Sequence, residues 1–135
     1  MEYQVMLIMG SESDRPHAEK ITAKLDEEGI PHRIFAASAH KQPKRVLEII
    51  EEAESLQAVL ITIAGRSNAL SGFVAANSTR PVIACPPFSD KTDMLVNIHS
   101  TLQMPSSVPA MAVLDPGNAA LAAARIISFA REGKS

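Results

Sequence analysis

The chain has no tryptophan, one tyrosine and four phenylalanines, 4% aromatic residues in all. So little π-surface leaves few side chains to sandwich a flavin ring, which weighs against a flavin carrier. Cysteine is nearly absent. Cys85 alone excludes an internal disulfide and fits a reducing compartment. The four histidines show no metal-ligand spacing, with each other or with that cysteine, so no metal is expected. An excess of one charge is also missing. Thirteen Lys and Arg against fifteen Asp and Glu leave a net charge of −2, so there is no broad basic field for nucleic acid, and any anion must be held by local groups. No apolar run approaches the roughly 20 residues that span a bilayer. The first residues lack the basic and apolar regions of a secretory signal. A cytoplasmic protein that binds no membrane is expected.

What is present is a regular alternation of apolar strands and amphipathic helices. At 135 residues and 46% hydrophobic composition the chain is expected to form one domain, residues 1–135, with no linker, repeat or low-complexity segment. Strands are predicted at Tyr3–Met9, Pro31–Ala37, Ala58–Ala64, Pro81–Cys85 and Pro109–Val113. Helices are predicted at Asp14–Glu28, Pro43–Ser55, Leu70–Ser78, Lys91–Gln103 and Asn118–Arg131. The first carries Ala18, Ile21 and Leu25 on one face and stops at Gly29. In the second, Val46, Ile49, Ile50 and Ala53 form the apolar stripe. In the fourth, Leu95, Ile98 and Leu102 are expected to point inward. The alanine-rich last helix is suited to close packing on the sheet or on another subunit. Strands apolar on both faces and joined by helices imply a parallel sheet covered on both sides. Right-handed crossovers then reduce the topology to a doubly wound α/β three-layer sandwich, five strands in the order 2-1-3-4-5, flavodoxin-like.

Ligands of such sheets bind beyond the carboxyl ends of the strands. Three of the loops there are dense in small polar residues. Gly10-Ser11-Glu12-Ser13-Asp14 leads into the first helix, where Ser11 and Ser13 offer donors to an anion. Ser13 or Asp14 could equally cap that helix, and Asp14 is better suited to ribose hydroxyls than to phosphate. Ser38-Ala39-His40-Lys41-Gln42-Pro43 places a histidine suited to moving a proton beside a cation suited to phosphate; the bland alternative is an exposed His-Lys pair. Gly65-Arg66-Ser67-Asn68 follows the most buried strand and offers close backbone approach and a guanidinium fork, or only a helix cap by Ser67 or Asn68. His17, His32 and His99 fall on helix faces and at a strand start, and no role is assigned to them.

Together these loops resemble one family, the phosphoribosylaminoimidazole carboxylases of PurE type. Its Met-Gly-Ser-x-Ser-Asp pattern is matched by Met9-Gly10-Ser11-Glu12-Ser13-Asp14, and its Ser-Ala-His-basic-x-Pro pattern by Ser38 to Pro43. A third block is matched by Ala64-Gly65-Arg66-Ser67-Asn68-Ala69-Leu70. The likeness continues through Arg80 to Pro87 and Gln103-Met104-Pro105, covering nearly the whole chain in order. The family's bacterial mutase class carries arginine where Lys41 stands, and a second histidine block where Gly65-Arg66-Ser67-Asn68 stands. The chain is therefore more similar to the direct carboxylase class.

That resemblance implies an ATP-independent carboxy-lyase of purine biosynthesis. It would carboxylate aminoimidazole ribonucleotide at ring carbon with carbon dioxide, without a cofactor. His40 is the expected proton carrier. The resemblance assigns Ser11, Ser13, Asp14, Ser38 and Lys41 to the ribose phosphate, and Gly65, Arg66, Ser67 and Asn68 to the carbon dioxide or carboxylate pocket. It also implies a homo-octamer with sites at subunit boundaries. The alternatives are an N-carboxyaminoimidazole ribonucleotide mutase and a non-catalytic nucleotide or flavin module. A receiver domain fits poorly, because strand three ends at Ala64-Gly65 where an aspartate is needed.

Overall fold

A computed structural model describes residues 4–65 and 69–133. Five strands, β1 (Val5–Met9), β2 (His32–Ala36), β3 (Val59–Ile63), β4 (Val82–Ala84) and β5 (Met111–Ala112), form one sheet in the order β2-β1-β3-β4-β5. Every pairing is parallel. Helices α1 (Arg15–Glu27), α2 (Pro43–Leu56), α3 (Ala69–Ala76), α4 (Lys91–Leu102) and α5 (Pro116–Glu132) connect them, with a single 3₁₀ turn at Glu12–Asp14. The predicted architecture and strand order are thus observed. The elements differ from expectation mainly at their ends: every strand starts one or two residues later, all but β1 end one residue earlier, and α5 starts two residues earlier, at a proline suited to a first helical turn.

The period-two pattern of the central strands divides the core into two layers. Val5, Leu7, Met9, Val59, Ile61 and Ile63 face α1 and α5, where Ala18, Ile21, Leu25, Ala119, Ala120 and Ala123 complete a buried cluster. The alanines let α5 lie close to α1 and the sheet, the packing role foreseen for them. Met6, Ile8 and Leu60 face α2 and α3, against Val46, Ile49, Ile50, Ala53, Leu70 and Val74. Each large aliphatic side chain buried this way contributes roughly 1.5–3 kcal/mol, so the two clusters hold the sheet ends rigidly where the loops emerge.

Three details anchor the connections. Gly29, at φ 69, ends α1 as a left-handed residue, as predicted. Gln57 ends α2 in the same conformation without being glycine, at φ 57. Its carbonyl and that of Ala58 accept from the Arg80 guanidinium at 2.9 Å each, which holds the turn. Glu54 accepts from the backbone N–H and hydroxyl of Thr79 and from the Ser78 hydroxyl, tying α2 to the turn before β4.

Helix α4 departs from expectation. Leu95 and Leu102, predicted to face inward, are exposed, and Ile98 is only partly buried. The buried residues of α4 are polar, Asn97 and Thr101. Thr101 shares a hydrogen bond of 3.0 Å with buried Ser71 of α3. Polar pairing between the two helices sets the rotation of α4, and its apolar side is left facing outward.

Candidate active site

The carboxyl ends of β1, β2 and β3 are held together by the sheet ladder and by its last bonds: Gly10 N–H donates to the Ile63 carbonyl at 2.9 Å, and Ala37 N–H to that of Met9 at 2.8 Å. Beyond them lies a cleft of about 270 Å³. It sits where the chain leaves β1 for one side of the sheet and β3 for the other, the position at which doubly wound sheets bind ligands. The first loop contributes Gly10, Ser11, Ser13 and Asp14; the second contributes Ser38, Ala39 and His40; the third contributes Ala64 and Gly65, continued by Ala69 and Leu70 of α3.

Six of the residues singled out from the sequence therefore share one cleft: Ser11, Ser13, Asp14, Ser38, His40 and Gly65. Lys41 stands beside His40 but is exposed and outside the wall. Arg66, Ser67 and Asn68 lie outside the described residues. The apolar members Ala39, Ala64, Ala69 and Leu70 entered the sequence reading only as parts of the loop patterns and were given no role there, because aliphatic residues look the same in a core and in a cleft floor.

The first two loops are each shaped by their own serine. The Ser11 hydroxyl oxygen accepts the Ser13 N–H at 3.2 Å and lies 3.0 Å from the Ser13 hydroxyl, so Ser11 caps the 3₁₀ turn. The capping expected of Ser13 or Asp14 falls to Ser11 instead, and Asp14 makes no side-chain cap to α1. Its carboxyl is thereby left to the cleft. The Ser38 hydroxyl oxygen accepts the backbone N–H groups of both His40 and Lys41 at 3.2 Å, and the Gln42 N–H returns to the Ser38 carbonyl at 2.8 Å. This closed turn carries the imidazole to the cleft. Gly65 has no neighbour within 4 Å of where a Cβ would stand, so the missing side chain leaves room at the cleft wall.

Burial pushes the Asp14 carboxyl above its ordinary range, partly offset by a hydrogen bond with the Ser11 main chain. Nearby Arg15 is paired with Glu12 at 2.9 Å and 3.0 Å and does not line the cleft. Among the described lining residues none is a permanent cation. The donors at hand are the serine hydroxyls, with Lys41 alongside. Among the described residues no three His, Cys, Asp or Glu side chains gather as a metal site.

In the layer of α1 and α5, Cys85 is fully buried, with its Sγ 3.5 Å from His17 Nε2 and 3.6 Å from the Leu114 carbonyl. Burial pushes the thiol up to about 12, and Asp115 adds to the shift. Burial also lowers the His17 imidazole. This is a neutral packing pair, consistent with leaving His17 without a role. No helix among the described residues is long and apolar enough to cross a membrane.

The AIR carboxylase family model matches residues 4–134. The chain is 52% identical over 130 residues to a phosphoribosylaminoimidazole carboxylase of Archaeoglobus fulgidus, covering 96% of this chain and 72% of that protein. A protein of the same description from Treponema denticola is 49% identical over 127 residues, covering 93% and 79%. The crystal structure of Treponema denticola PurE superposes with a TM-score of 0.87 at 49% identity, covering 93% of this chain and 80% of that one. A family match across the whole described fold, with relatives at this identity, agrees with the three loop patterns and with the cleft they enclose: the chain belongs to the AIR carboxylase family.

Proposed function

We propose that this chain is a phosphoribosylaminoimidazole carboxylase that joins carbon dioxide to the ring carbon of 5-aminoimidazole ribonucleotide, reversibly and without ATP. One observation carries the reading. In a member of this family, loops after three separate strands bring three serines, a carboxylate and His40 around one cleft. The substrate is an electron-rich aminoimidazole whose ring carbon is already a nucleophile, so no activated carboxyl donor is required. Its electron pair forms the new bond to the carbon of carbon dioxide. The ring carbon is then tetrahedral and bears both a proton and the carboxylate. Removal of that proton returns the bonding pair to the ring and restores aromaticity, and His40 is the base that takes it. In the reverse direction the imidazolium returns the proton and carbon dioxide leaves, which makes the enzyme a carboxy-lyase.

The Ser11 and Ser13 hydroxyls and Lys41 suit the ribose phosphate, with Ser38 completing that side. Asp14, raised but held in the wall, suits ribose hydroxyls, which donate to it. Gly65, with Arg66, Ser67 and Asn68, suits the carboxylate. His40 is exposed on this chain, so the cleft is open on the imidazole side. That opening agrees with a homo-oligomer, in line with the octamer the resemblance implies. A cytoplasmic enzyme is the corresponding cellular reading.

The nearest rival is the mutase, which transfers a carboxyl group from the exocyclic nitrogen. Lys41 and the Gly65-Arg66-Ser67-Asn68 block favour the direct carboxylase. The test is a choice of substrate. Purified enzyme given aminoimidazole ribonucleotide and saturating bicarbonate, without ATP, should form the 4-carboxy product. Product only from the N-carboxy nucleotide would replace this reading with the mutase, and no product from either would remove catalysis altogether.

A further inference from the structure

Helix α2 carries its charges in the reverse of the helical preference. A helix presents partial positive charge at its N-terminus and partial negative charge at its C-terminus, so acids are favoured in the first turn and cations in the last. In α2 no acid stands in the first turn and no cation in the last. Lys44 and Arg45 open the helix, Lys41 just precedes it, and Glu51, Glu52 and Glu54 crowd its closing turns. Helices α4 and α5 keep the usual order. Asp90 caps α4 with Asp93 in its first turn, Asp115 caps α5, and His99 and Arg131 stand in the last turns.

The inversion works against the stability of α2, and local pairing does not account for it. Lys44 makes no ion pair among the described residues. Arg45 reaches Glu48 only at 3.9 Å, with both side chains exposed, a pair that adds little. The Arg45 guanidinium also lies 5.6 Å from the centroid of the Phe35 ring, but Arg33 already covers that ring at 4.6 Å.

What the inversion does is place charge. Helix α2 starts just after the His40 turn, so its N-terminus stands at the carboxyl edge of the sheet, beside the cleft. That edge is polarised. Lys41, Lys44 and Arg45 make its β2 side positive, while Asp90, Asp93 and Asp115 leave its β4–β5 side net negative even with Lys20 and Lys91 nearby. At the entry to α1, Glu12 and Arg15 neutralise one another. Lys44 and Arg45 do not line the cleft, and among its described lining residues none is a permanent cation.

We propose that Lys44 and Arg45 form an electrostatic guide that draws the phosphate of the nucleotide to the β2 side of the cleft, and so help set the preference for a phosphorylated substrate. The inference rests on the aminoimidazole ribonucleotide reading above and adds two specificity-determining residues to it. A phosphate monoester carries roughly −1.5 to −2 charge at neutral pH, so the guide acts on the nucleotide and not on the bare nucleoside. Its field reaches about 10 Å at 0.1 M salt, so neither side chain needs to touch the ligand.

Calorimetry on the full chain with aminoimidazole ribonucleotide, without bicarbonate, tests this. Lys44→Glu with Arg45→Glu should weaken nucleotide binding about 10-fold at 0.01 M salt, where the field reaches about 30 Å. The gap should close to within about two-fold at 1 M, where the field reaches about 3 Å. In the carboxylation assay, kcat at saturating nucleotide should stay within about two-fold of wild type, because the pair acts on capture and not on the ring. Should the double reversal fail to fold, Lys44→Gln with Arg45→Gln changes half the charge and should show a gap of about 3-fold with the same salt dependence. Equal affinities at low salt would overturn the guide. A gap that persists at 1 M would also overturn it, by making the two side chains direct ligands. A loss of kcat with affinity unchanged would overturn it as well, by making their role structural. Wild type that binds no aminoimidazole ribonucleotide at either salt would remove the substrate reading itself, and the guide with it.

Discussion

Ser38 holds His40 by its main chain: the serine hydroxyl oxygen accepts the histidine N–H at 3.2 Å and, at the same distance, the N–H of Lys41. The serine that accompanies the histidine in sequence is thus also what shapes the turn presenting it. Ser38→Ala should lower kcat by about 10-fold, because a misplaced catalytic group loses rate before binding. Ser38→Thr, which keeps the hydroxyl, should recover most of the activity. Steady-state kinetics on both variants checks this. A rise in KM with kcat unchanged would leave Ser38 its part on the ribose-phosphate side and remove the positioning role.

Asp14 combines a stability cost with the binding role proposed for it. Burial raises its carboxyl, so the folded chain holds that proton more tightly than the unfolded chain does. Stability from this group therefore falls as pH rises through the window between the ordinary and the raised value. Asp14→Asn should melt at a higher temperature than wild type at pH 7.5, and the difference should shrink as the pH is lowered through that window. The same variant should raise KM for the nucleotide about 10-fold, a trade between stability and function common at binding sites. Thermal melts across pH with parallel kinetics would show both effects.

How much of this was legible in the residues depends on what each inference needed. Strand order followed from alternation and crossover handedness, which are properties of the chain path and tolerate errors at element ends. The two-layer core followed because β1 and β3 are apolar at every position. The α4 stripe was visible too, but its direction was not. Periodicity reports that Leu95 and Leu102 share a face, and it cannot report whether this chain or another covers that face. The deciding fact is the Ser71–Thr101 pairing, a contact between residues 30 positions apart. At the cleft, polar loop residues were legible because catalysis and phosphate binding use a small chemical vocabulary. The shaping roles of Ser11 and Ser38 needed coordinates, since a hydroxyl that caps and a hydroxyl that binds ligand have the same sequence signature.

Cys85 should be inert. With its thiol pushed up to about 12 and fully buried, it has a negligible thiolate fraction at pH 8. Ellman's reagent should detect no thiol in the native protein and one per chain in guanidinium. Rapid labelling of the native chain would contradict the packing described for the His17–Cys85 pair.

Glu54 should contribute a pH-dependent share of stability. The Thr79 N–H holds its carboxyl below the ordinary 4.5, with the Thr79 and Ser78 hydroxyls assisting and burial opposing. A carboxylate lowered in this way stabilises the fold above its ordinary value, and the contribution is lost as pH falls through the lowered one. Glu54→Gln should cost about 1 kcal/mol at pH 7, a modest figure because the carboxylate is partly solvated. Urea titrations should show that deficit narrowing steadily below pH 4.5. A deficit independent of pH would assign the effect to packing alone.

The most direct test of the whole account is His40→Asn, assayed for carboxylation and, separately, for nucleotide binding by calorimetry. The variant should bind the aminoimidazole nucleotide within a few-fold of wild type and lose turnover by at least 1000-fold, roughly the range expected when a sole proton carrier is removed. Turnover close to wild type would contradict the assignment of His40 as the group that moves the ring proton.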